Sequence, residues 1–318
     1  MEQAIRELNK QFEYEPVVEN GPIKPASKIV IAGMGGSHLA ADIIKAQDVC
    51  QDLVVHKGYG LPCVPHDDFS DAILIANSYS GNTEEILDFF NQALDNNLNV
   101  AVVSTGGKLI EIAKEKNIPY IQMPATGIQP RSALGYNIRA LLKIAGLDEM
   151  LESTNNLTSL DTGSFEAQGK ELAERLKGYV PIIYASDRNE AIVSNWKVKM
   201  NETGKIPAFY NVFPELNHNE MIGFDTKISD VGLSDKFYFV FLKDKNDHHR
   251  VIKRMEVMKK LLQERNLPVE VIELADESRF RQVFMSLTIA EWTAYWIAKN
   301  NNVDPEEVPL IEEFKKLI

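Results

Sequence analysis

Residues Asp71–Glu85 read DAILIANSYSGNTEE, which is an apolar run, a turn rich in hydroxyl groups and the start of a helix. The run Ala72–Ala76 predicts a buried strand. Gly81 lets the backbone approach a ligand closely, and the first N–H groups of a helix have no partner within it. Three hydroxyl side chains add donors around the positive end of the helix dipole: Ser78, Ser80 and Thr83. The turn is therefore predicted to bind an oxyanion, and we expect a phosphate.

A simpler interpretation of this turn is an ordinary helix N-cap, with its threonine as the capping residue and the following glutamates complementing the helix dipole. A second glycine turn favours the ligand site. Residues Lys28–Ala32 read as a strand, and the turn Gly33–His38, GMGGSH, leads from it into an amphipathic helix. We therefore expect the backbone of Gly35 and Gly36 and the hydroxyl of Ser37 to contribute to the phosphate site.

A dinucleotide site is the alternative for this second turn. It would require the pattern G-x-G-x-x-G, whose sixth position is His38 in this chain. The next predicted strand, Leu53–Val55, would also be expected to lead to an acidic residue that binds the ribose, but His56 and Lys57 follow it. NAD binding is therefore disfavoured.

Strands and helices alternate along both halves of the chain, as in doubly wound α/β domains with parallel sheets. In the first half, strands are predicted at 28–32, 53–56, 72–76, 99–103 and 119–123, followed by a helix at 133–145. In the second half, strands are predicted at 180–185, 206–209, 237–241 and 269–274, and helices at 191–203, 249–264 and 280–300. The polar stretch 152–164 is the predicted linker. The second half lacks a Ser-Gly-Asn-Thr turn, so we expect it to supply chemistry rather than a second phosphate site.

Six motifs distributed along the chain resemble the bifunctional phosphoglucose/phosphomannose isomerase family: GMGGS, NSYSGNTEE, PRSALGY, WKVKMNETGKIPAF, ELNHNE and WIAKNNNVDP. The first two are shared by all sugar-isomerase (SIS) domains, and the other four are specific to this family. The resemblance implies an α/β fold of two doubly wound parallel-sheet SIS domains. The expected domains are residues 1–152, with the phosphate-binding loops, and residues 153–318, with the catalytic base and the C-terminal helix.

The chemical step needs an acid or base near the sugar carbons, and Glu202 is the first candidate. It lies in the motif Trp196–Gly204, at the last turn of a helix that Gly204 is expected to terminate. The negative end of the helix dipole disfavours a charged carboxylate, which suits a base that removes a weakly acidic C–H proton. Without the resemblance, an exposed surface glutamate is the commoner outcome. The resemblance implies that the catalytic glutamate stands at this position.

His218 lies in the motif Glu215–Glu220, ELNHNE. A histidine donates and accepts protons near neutral pH, which the opening of a pyranose ring requires, because O5 gains a proton while the anomeric hydroxyl loses one. Without the resemblance, a helix-capping or core histidine is the commoner outcome. The resemblance implies that this histidine opens the ring and is supplied by the neighbouring subunit of a homodimer.

Arg131 follows the fifth predicted strand and should emerge at the same sheet edge as the two glycine turns. A guanidinium there could stabilise the oxygens of an enediolate. The alternative, a surface arginine at the start of a helix, is weakened because a cation is unfavourable at the positive helix end. Lys299 is a further candidate, for assisting ring opening, although a lysine that merely complements the end of the last helix fits equally well.

The resemblance implies aldose–ketose isomerisation of glucose 6-phosphate and mannose 6-phosphate with fructose 6-phosphate through a cis-enediol, with Glu202 moving the proton between C2 and C1. Rotation of the intermediate about its C2–C3 bond would let one base serve both epimers. No cofactor and no metal are expected. The remaining histidines show no ligand spacing with acids or cysteines: His38, His56, His66, His248 and His249.

With 318 residues and 44% hydrophobic content, the chain can bury two cores of ordinary size. Its net charge of −12 disfavours nucleic acid as a partner, and local groups would have to overcome its repulsion of an anionic sugar phosphate. The N-terminus shows no signal pattern, and no long apolar run occurs, so we expect a cytoplasmic protein with no membrane segment. Cys50 and Cys63 lack metal-site spacing and are expected to be reduced thiols.

Two other functions remain open. One is an enzyme of the same fold that acts on another sugar phosphate, such as the isomerase half of glucosamine 6-phosphate synthase. It would normally carry an amidotransferase domain with an N-terminal cysteine, whereas this chain begins Met1-Glu2. The other is a sugar-phosphate sensor without catalysis, which would not need Glu202 or His218. Such regulators usually carry a basic DNA-binding segment, and none precedes Ile29.

Overall fold

A computed structural model describes residues 1–47, 52–63, 69–228, 232–276 and 278–317, so that Cys50 and His66 lie outside the described residues. The chain divides into two compact units, Arg6–Leu160 and Asp161–Ile318, and the second also includes Met1–Ile5. The stretch predicted as a polar linker is mostly helical, because it contains the end of a helix and two 3-10 turns, Thr154–Ser159 and Thr162–Phe165.

The N-terminal unit contains a parallel five-stranded sheet in the order β2-β1-β3-β4-β5. Its strands are β1 (Lys28–Ala32), β2 (Asp52–His56), β3 (Ala72–Asn77), β4 (Val100–Ser104) and β5 (Tyr120–Gln122). Its helices are α2 (Gly36–Lys45), α3 (Glu84–Asp95), α4 (Gly107–Glu115), α5 (Leu134–Ile144) and α6 (Asp148–Ser153), and a short helix, α1 (Glu2–Arg6), begins the chain. Every residue of β3 is buried, as the apolar run predicted.

The core of this unit lies between the sheet and its helices. Phe89 and Phe90 of α3 are fully buried in one cluster with Leu74 of β3 and Val102 of β4. Burial of a phenylalanine side chain contributes roughly 1.5–3 kcal/mol, so these contacts fix α3 on the sheet. They therefore also fix the turn between β3 and α3.

The C-terminal unit contains a parallel four-stranded sheet in the order β7-β6-β8-β9. Its strands are β6 (Val180–Ser186), β7 (Phe209–Phe213), β8 (Phe237–Asp244) and β9 (Val269–Leu274). Its helices are α7 (Glu166–Arg175), α8 (Glu190–Glu202), α9 (His249–Gln263), α10 (Arg279–Asn300) and α11 (Pro309–Lys315). An aromatic cluster from three strands, Tyr184, Phe213 and Phe241, packs with Met255 and Met258 of α9.

Two doubly wound parallel sheets confirm the predicted fold class. The strand predicted at residues 206–209 was wrong. The strand observed in this region is β7, which begins at Phe209, opposite Ile182 of β6. The Asn201 side chain donates to the carbonyls of Ile206 and Ala208, at 3.0 and 3.5 Å, and Pro207 has no N–H. The backbone of residues 206–208 therefore bonds to a side chain instead of pairing with β6. None of the described helices combines the length and the apolar character needed to span a membrane.

Candidate active site

The hydroxyl-rich turn after β3 is held by its own side chains. The Ser78 and Thr83 hydroxyls lie 2.8 Å apart, and Ser78 Oγ also accepts from the N–H of Gly81 at 3.1 Å. Ser80 Oγ accepts from the N–H of Asn82 at 3.3 Å. Thr83 is the N-cap residue of α3, but its side chain does not cap the helix. The hydroxyl of Thr83 therefore faces the turn, which is the arrangement expected of an anion cradle rather than of an ordinary cap.

A loop after β4 packs against this turn, and the sequence interpretation missed it. Gly107 has a φ of +69°, and a Cβ there would lie 2.4 Å from the carbonyl oxygen of Ser80. Thr105 binds the carbonyl of Tyr79 with both its N–H, at 3.1 Å, and its hydroxyl, at 2.7 Å. The signal was the glycine pair that follows Ser104 and Thr105 directly after a strand. Its importance becomes visible only once β4 is placed beside β3.

The glycine turn after β1 is joined to the same region through Ser37. Its hydroxyl accepts from the N–H of Tyr79 at 3.0 Å, and its carbonyl accepts from the Asn77 side chain at 2.9 Å. Gly35 has a φ of +51° and precedes the first residue of α2. The structure therefore brings the two sequence-predicted turns together at the carboxyl ends of β1 and β3, where the strand order reverses. Open parallel sheets bind ligands at such a position.

The backbone of Arg131 packs against the glycine turn that follows β1. A Cβ on Gly36 would lie 2.7 Å from both the N of Arg131 and the carbonyl carbon of Pro130, so the turn Pro130–Ser132 packs directly on the glycine turn. The Arg131 side chain is only 1% exposed, and its Nη1 donates to Gln129 Oε1 at 3.4 Å. Its guanidinium is therefore a buried positive charge in a protein whose net charge is −12.

Asp42 of α2 has two basic partners, one of which directly follows β2. Lys57 Nζ contacts Asp42 Oδ2 at 2.7 Å, and His38 Nδ1 lies 2.9 Å from the same oxygen. Burial alone would raise the pKa of Asp42, but hydrogen bonds from His38 and Lys57 outweigh it and hold the pKa below its ordinary value. These three residues stabilise the end of α2 against β2.

In the C-terminal unit, Glu202 is the last residue of α8 and is half-buried. The helix is anchored on α10, because Lys199 forms a buried ion pair with Glu291 at 2.5 Å. Gly204 does not adopt a left-handed conformation as a glycine cap would, and the left-handed residue is Lys205, with a φ of +56°. The Lys205 ammonium donates to the carbonyl of Glu202 and, at 3.4 Å, to that of Pro305. A lysine therefore complements the end of the helix that carries the candidate base.

His218 and Lys299 are both exposed. His218 ends the 3-10 turn Glu215–Asn217, where its N–H donates to the carbonyl of Glu215 at 2.9 Å. Lys299 lies in the last turn of α10, with its ammonium 5.8 Å from the ring centroid of Tyr295. The C-terminal unit thus presents candidate acid–base groups at the end of α8, in the turn after β7 and at the end of α10.

At the carboxyl end of its sheet, the C-terminal unit has a group of ion pairs, whereas the N-terminal unit has the candidate cradle at the carboxyl ends of β1 and β3. Asp244, at the end of β8, is fully buried, and its carboxylate accepts from Arg188 at 2.6 Å, Gln282 at 3.0 Å and Arg279 at 3.3 Å. Asp247 follows it, and burial raises the pKa of that carboxyl. The carboxylate of Asp244 therefore already accepts the hydrogen bonds that these arginine and glutamine side chains donate at this sheet edge.

A family model described as the bacterial phospho-glucose isomerase C-terminal SIS domain matches residues 165–318. A solved structure titled a glucose-6-phosphate isomerase like protein, from Thermus thermophilus, aligns with a TM-score of 0.63 at 15% identity, covering 100% of this chain and 98% of that one. The fold is therefore that of the sugar-isomerase (SIS) domain proteins.

Sequence relatives identify the family within that class. The bifunctional phosphoglucose/phosphomannose isomerase of Aquifex aeolicus is 32% identical over 319 residues, which cover 98% of this chain and 96% of the relative. The chain belongs to the bifunctional phosphoglucose/phosphomannose isomerase family, which confirms the resemblance found in its motifs. A D-glucosamine-6-phosphate 4-epimerase of Sulfolobus acidocaldarius is also 32% identical, over 225 residues that cover 68% of this chain and 71% of that protein.

Proposed function

We propose that this protein is a metal-independent aldose–ketose isomerase, which interconverts glucose 6-phosphate and mannose 6-phosphate with fructose 6-phosphate. The name and near full-length similarity of the Aquifex aeolicus relative support this activity. The main structural support for a sugar phosphate as substrate is the hydrogen bond from the N–H of Tyr79 to Ser37 Oγ. This bond joins the two turns proposed to bind the anion into one cradle, and the backbone of Arg131 packs beside it. A sugar phosphate suits such a cradle, since its dianion needs many donors.

In this proposal the phosphate and nearby sugar hydroxyls are held by the two turns. The backbone of Gly35 and Gly36 contributes N–H groups at the start of α2. Hydroxyl donors come from Ser37, Ser78, Ser80 and Thr83. The cradle binds substrate and transition state alike, so it should govern affinity more than the rate of the chemical step.

The first chemical step is opening of the pyranose ring. His218 transfers protons so that the anomeric hydroxyl loses one and O5 gains one, and the C1–O5 bond breaks to give the open-chain aldehyde. Lys299 assists by stabilising the negative charge that develops on oxygen. The exposure of both side chains supports their availability to a ligand.

Isomerisation follows through a cis-enediol. The carboxylate of Glu202 takes the proton from C2, the C2–H electrons form the C1–C2 double bond, and the carbonyl electrons move to O1. Arg131 stabilises the negative oxygen. Glu202 then returns the proton to C1, the hydroxyl proton of O2 passes to O1, and C2 becomes the ketone. Rotation about the C2–C3 bond exposes either face of C2, so that one base produces both glucose and mannose phosphates.

The proposal includes a homodimer in which His218 serves the active site of the partner subunit. The position of His218 on an exposed turn supports a role outside its own unit. A cytoplasmic location and a place in glycolysis and gluconeogenesis follow from the proposed substrates, which are the sugar phosphates of those routes.

The deciding experiment is a coupled assay with glucose 6-phosphate and mannose 6-phosphate as separate substrates, in the presence and absence of a metal chelator. We expect turnover of both sugars and no effect of the chelator. Exchange of the C2 proton of glucose 6-phosphate with solvent tests the enediol. If the protein bound fructose 6-phosphate but did not exchange its protons with solvent, the isomerase proposal would be wrong and a sugar-phosphate sensor would be the better interpretation.

A second candidate is 4-epimerisation of glucosamine 6-phosphate, because the similarity to the Sulfolobus acidocaldarius epimerase covers two thirds of the chain. The cradle would serve equally well, since it contacts the phosphate rather than C4. Incubation with glucosamine 6-phosphate, followed by separation of its 4-epimer, distinguishes this activity from the isomerase.

A further inference from the structure

The segment that carries His218 presents an exposed imidazole between two 3-10 turns, Glu215–Asn217 and Glu220–Phe224. The backbone N–H of the histidine donates to the carbonyl of Glu215, but within the part of the chain that the structure describes no hydrogen bond reaches its ring. A histidine that opens a sugar ring must lie within hydrogen-bond distance of the sugar oxygens. The position of this imidazole therefore depends on the contacts that hold the backbone on either side of it.

The backbone before the histidine is held mainly by the core of the unit. Leu216 is fully buried in the same hydrophobic cluster as Tyr184 and Phe213. Asn217 follows it, and its side-chain oxygen accepts from the Arg254 guanidinium at 3.3 Å. These contacts fix the first of the two 3-10 turns on the sheet and on α9.

The backbone after the histidine is held by the carboxylate of Glu220, which is half-buried. One oxygen of this carboxylate accepts from the hydroxyl of Tyr184 on β6, and the other accepts from the side-chain amide of Asn211 on β7. The amide is itself oriented, because Asn211 Oδ1 accepts from the N–H of Val212 at 2.8 Å. Two neighbouring strands therefore fix both oxygens of Glu220, which lies two residues after His218.

The hydroxyl of Tyr184 is a polar group inside an aromatic cluster. The tyrosine is fully buried, and its ring centroid lies 5.7 to 6.0 Å from those of Phe213, Phe239 and Phe241. A phenylalanine would make the same ring contacts without the free-energy cost of burying a hydroxyl. Burial raises the pKa of Tyr184, and the hydrogen bond to Glu220 raises it further, so the hydroxyl remains a donor at neutral pH. The hydroxyl therefore serves the bond to Glu220 rather than the packing of the core.

We propose that Glu220 is a positioning residue for His218 in the opening of the sugar ring. This role rests on the proposed function, in which the histidine transfers the protons of ring opening. Glu220 acts through the backbone, because its bonds to Tyr184 and Asn211 hold the chain just beyond the histidine and so present the imidazole at one position. Proton transfer at C2 belongs to Glu202 in the proposed function, so it should not need this network.

The test measures ring opening without isomerisation. In a full chain carrying Glu202→Gln, ring opening and closure interconvert the α and β anomers of glucose 6-phosphate, and NMR exchange spectroscopy gives the catalysed rate above that of the free sugar. Adding Tyr184→Phe should lower this rate at least about fivefold, because the carboxylate loses one of its two donors. Adding Glu220→Gln should lower it at least about tenfold, because an NH₂ group then faces a donor. Affinity for glucitol 6-phosphate, a linear polyol that cannot form the ring, should stay within about twofold in both variants.

Tyr238→Phe is the matched control in the same Glu202→Gln chain. Tyr238 is also a buried tyrosine, on β8, and its hydroxyl also donates to a glutamate, Glu270 of β9, at 3.3 Å. Strand β9 lies at the opposite edge of the sheet from β7, which precedes the histidine. Tyr184→Phe and Tyr238→Phe should unfold at similar urea concentrations, but only Tyr184→Phe should slow the exchange of anomers.

The same assay separates failure of the positioning role from failure of the proposed function. Exchange that His218→Ala slows, but that Tyr184→Phe and Glu220→Gln leave unchanged, would overturn the positioning role alone. An equal loss in Tyr184→Phe and Tyr238→Phe would also overturn it, because the loss would then follow stability. Exchange that His218→Ala leaves unchanged would overturn the ring-opening role of the histidine, and the positioning role with it.

Discussion

A Cβ atom on Gly81 would lie 1.8 Å from the carbonyl oxygen of Gly106, so the loops after β3 and β4 meet backbone to backbone. The carbonyl of Gly81 also accepts from the N–H of Leu109 at 3.1 Å. Gly81 has a φ of +71°, a conformation that side chains disfavour. The shape of the candidate phosphate cradle is therefore set by a neighbouring loop that makes no predicted contact with the ligand.

Replacing Gly81 by alanine should damage both the fold and the cradle. Gly146→Ala is the matched control, because Gly146 has the same φ of +71° but a methyl group there would have nothing within 4 Å. The control should lose about 1–2 kcal/mol of unfolding free energy from the left-handed conformation. Gly81→Ala should lose a further 1–3 kcal/mol, roughly, from overpacking, and should raise KM. Equal losses in urea unfolding, with KM unchanged, would contradict the tight packing of the two loops.

Two serines of the same turn should behave differently. Ser80 is exposed, so Ser80→Ala should raise KM for sugar phosphates by about fivefold or more, from about 1–2 kcal/mol of lost hydrogen bonding, and leave stability unchanged. Ser78 is buried and bonds to Gly81 and Thr83, so Ser78→Ala should also lower the unfolding free energy by about 1–3 kcal/mol. An unchanged KM in a Ser80→Ala, Thr83→Ala double variant would remove the cradle from the mechanism.

The sequence predicted those parts of the candidate site that depend on local structure. The turns containing Ser37 and Ser78 each follow an apolar strand and precede a helix, and parallel strands bring such turns to one edge. The contact of Gly81 with Gly106 could not be predicted, because it depends on the lateral order of β3 and β4. The ion pairs of Asp244 could not be predicted either, because they also depend on tertiary structure: Arg188 and Arg279 lie 56 and 35 residues away in the chain.

The carboxylate of Asp42 should make stability depend on acid pH. Its pKa is lowered in the folded state, so its contribution is complete above the unfolded pKa of about 4 and is lost as pH falls through the folded value. Lys57→Met removes one of the two partners and should lower the unfolding free energy by up to about 1 kcal/mol at pH 6, because Lys57 is partly exposed. The difference from the unsubstituted protein should be smaller at pH 3 than at pH 6, because the contribution of Asp42 declines once pH falls below its unfolded pKa of about 4.

Lys45→Met provides the control, since Lys45 is an exposed lysine at the end of the same helix. It should have little effect at either pH. If urea unfolding showed the same loss for Lys57→Met at pH 3 as at pH 6, the contribution of Lys57 would come from packing of its stem rather than from the charge of Asp42.

Sharing of His218 between subunits should be visible by complementation. A Glu202→Gln chain and a His218→Ala chain should each be inactive alone. Random exchange makes half of the dimers mixed, and each mixed dimer has one site with both native residues, so about a quarter of the native activity should return. Activity that stays at the level of the two parents after demonstrated subunit exchange would place both residues in the same chain's site.

The proton chemistry itself rests on Glu202. Glu202→Gln keeps the size and hydrogen bonding of the side chain but removes the base, so exchange of the substrate C2 proton with solvent should fall at least about a hundredfold, while sugar-phosphate affinity changes by only a few fold. Glu190→Gln, at the exposed first residue of the same helix, should leave exchange unchanged. The comparison is made by isotope exchange at saturating substrate. Full exchange in the Glu202→Gln variant would assign the base to another residue.

Ring opening should separate from enolisation in the His218→Ala variant. Turnover of the cyclic sugar phosphate should fall much more than turnover of an open-chain substrate of the same length, because removal of the C2 proton does not require the ring to open. Glu202→Gln should impair both substrates equally, since both pass through the enediol. Stopped-flow measurement with each substrate distinguishes the two steps. An equal loss on both substrates in His218→Ala would mean that this histidine acts in proton transfer at carbon, or in binding, rather than in ring opening.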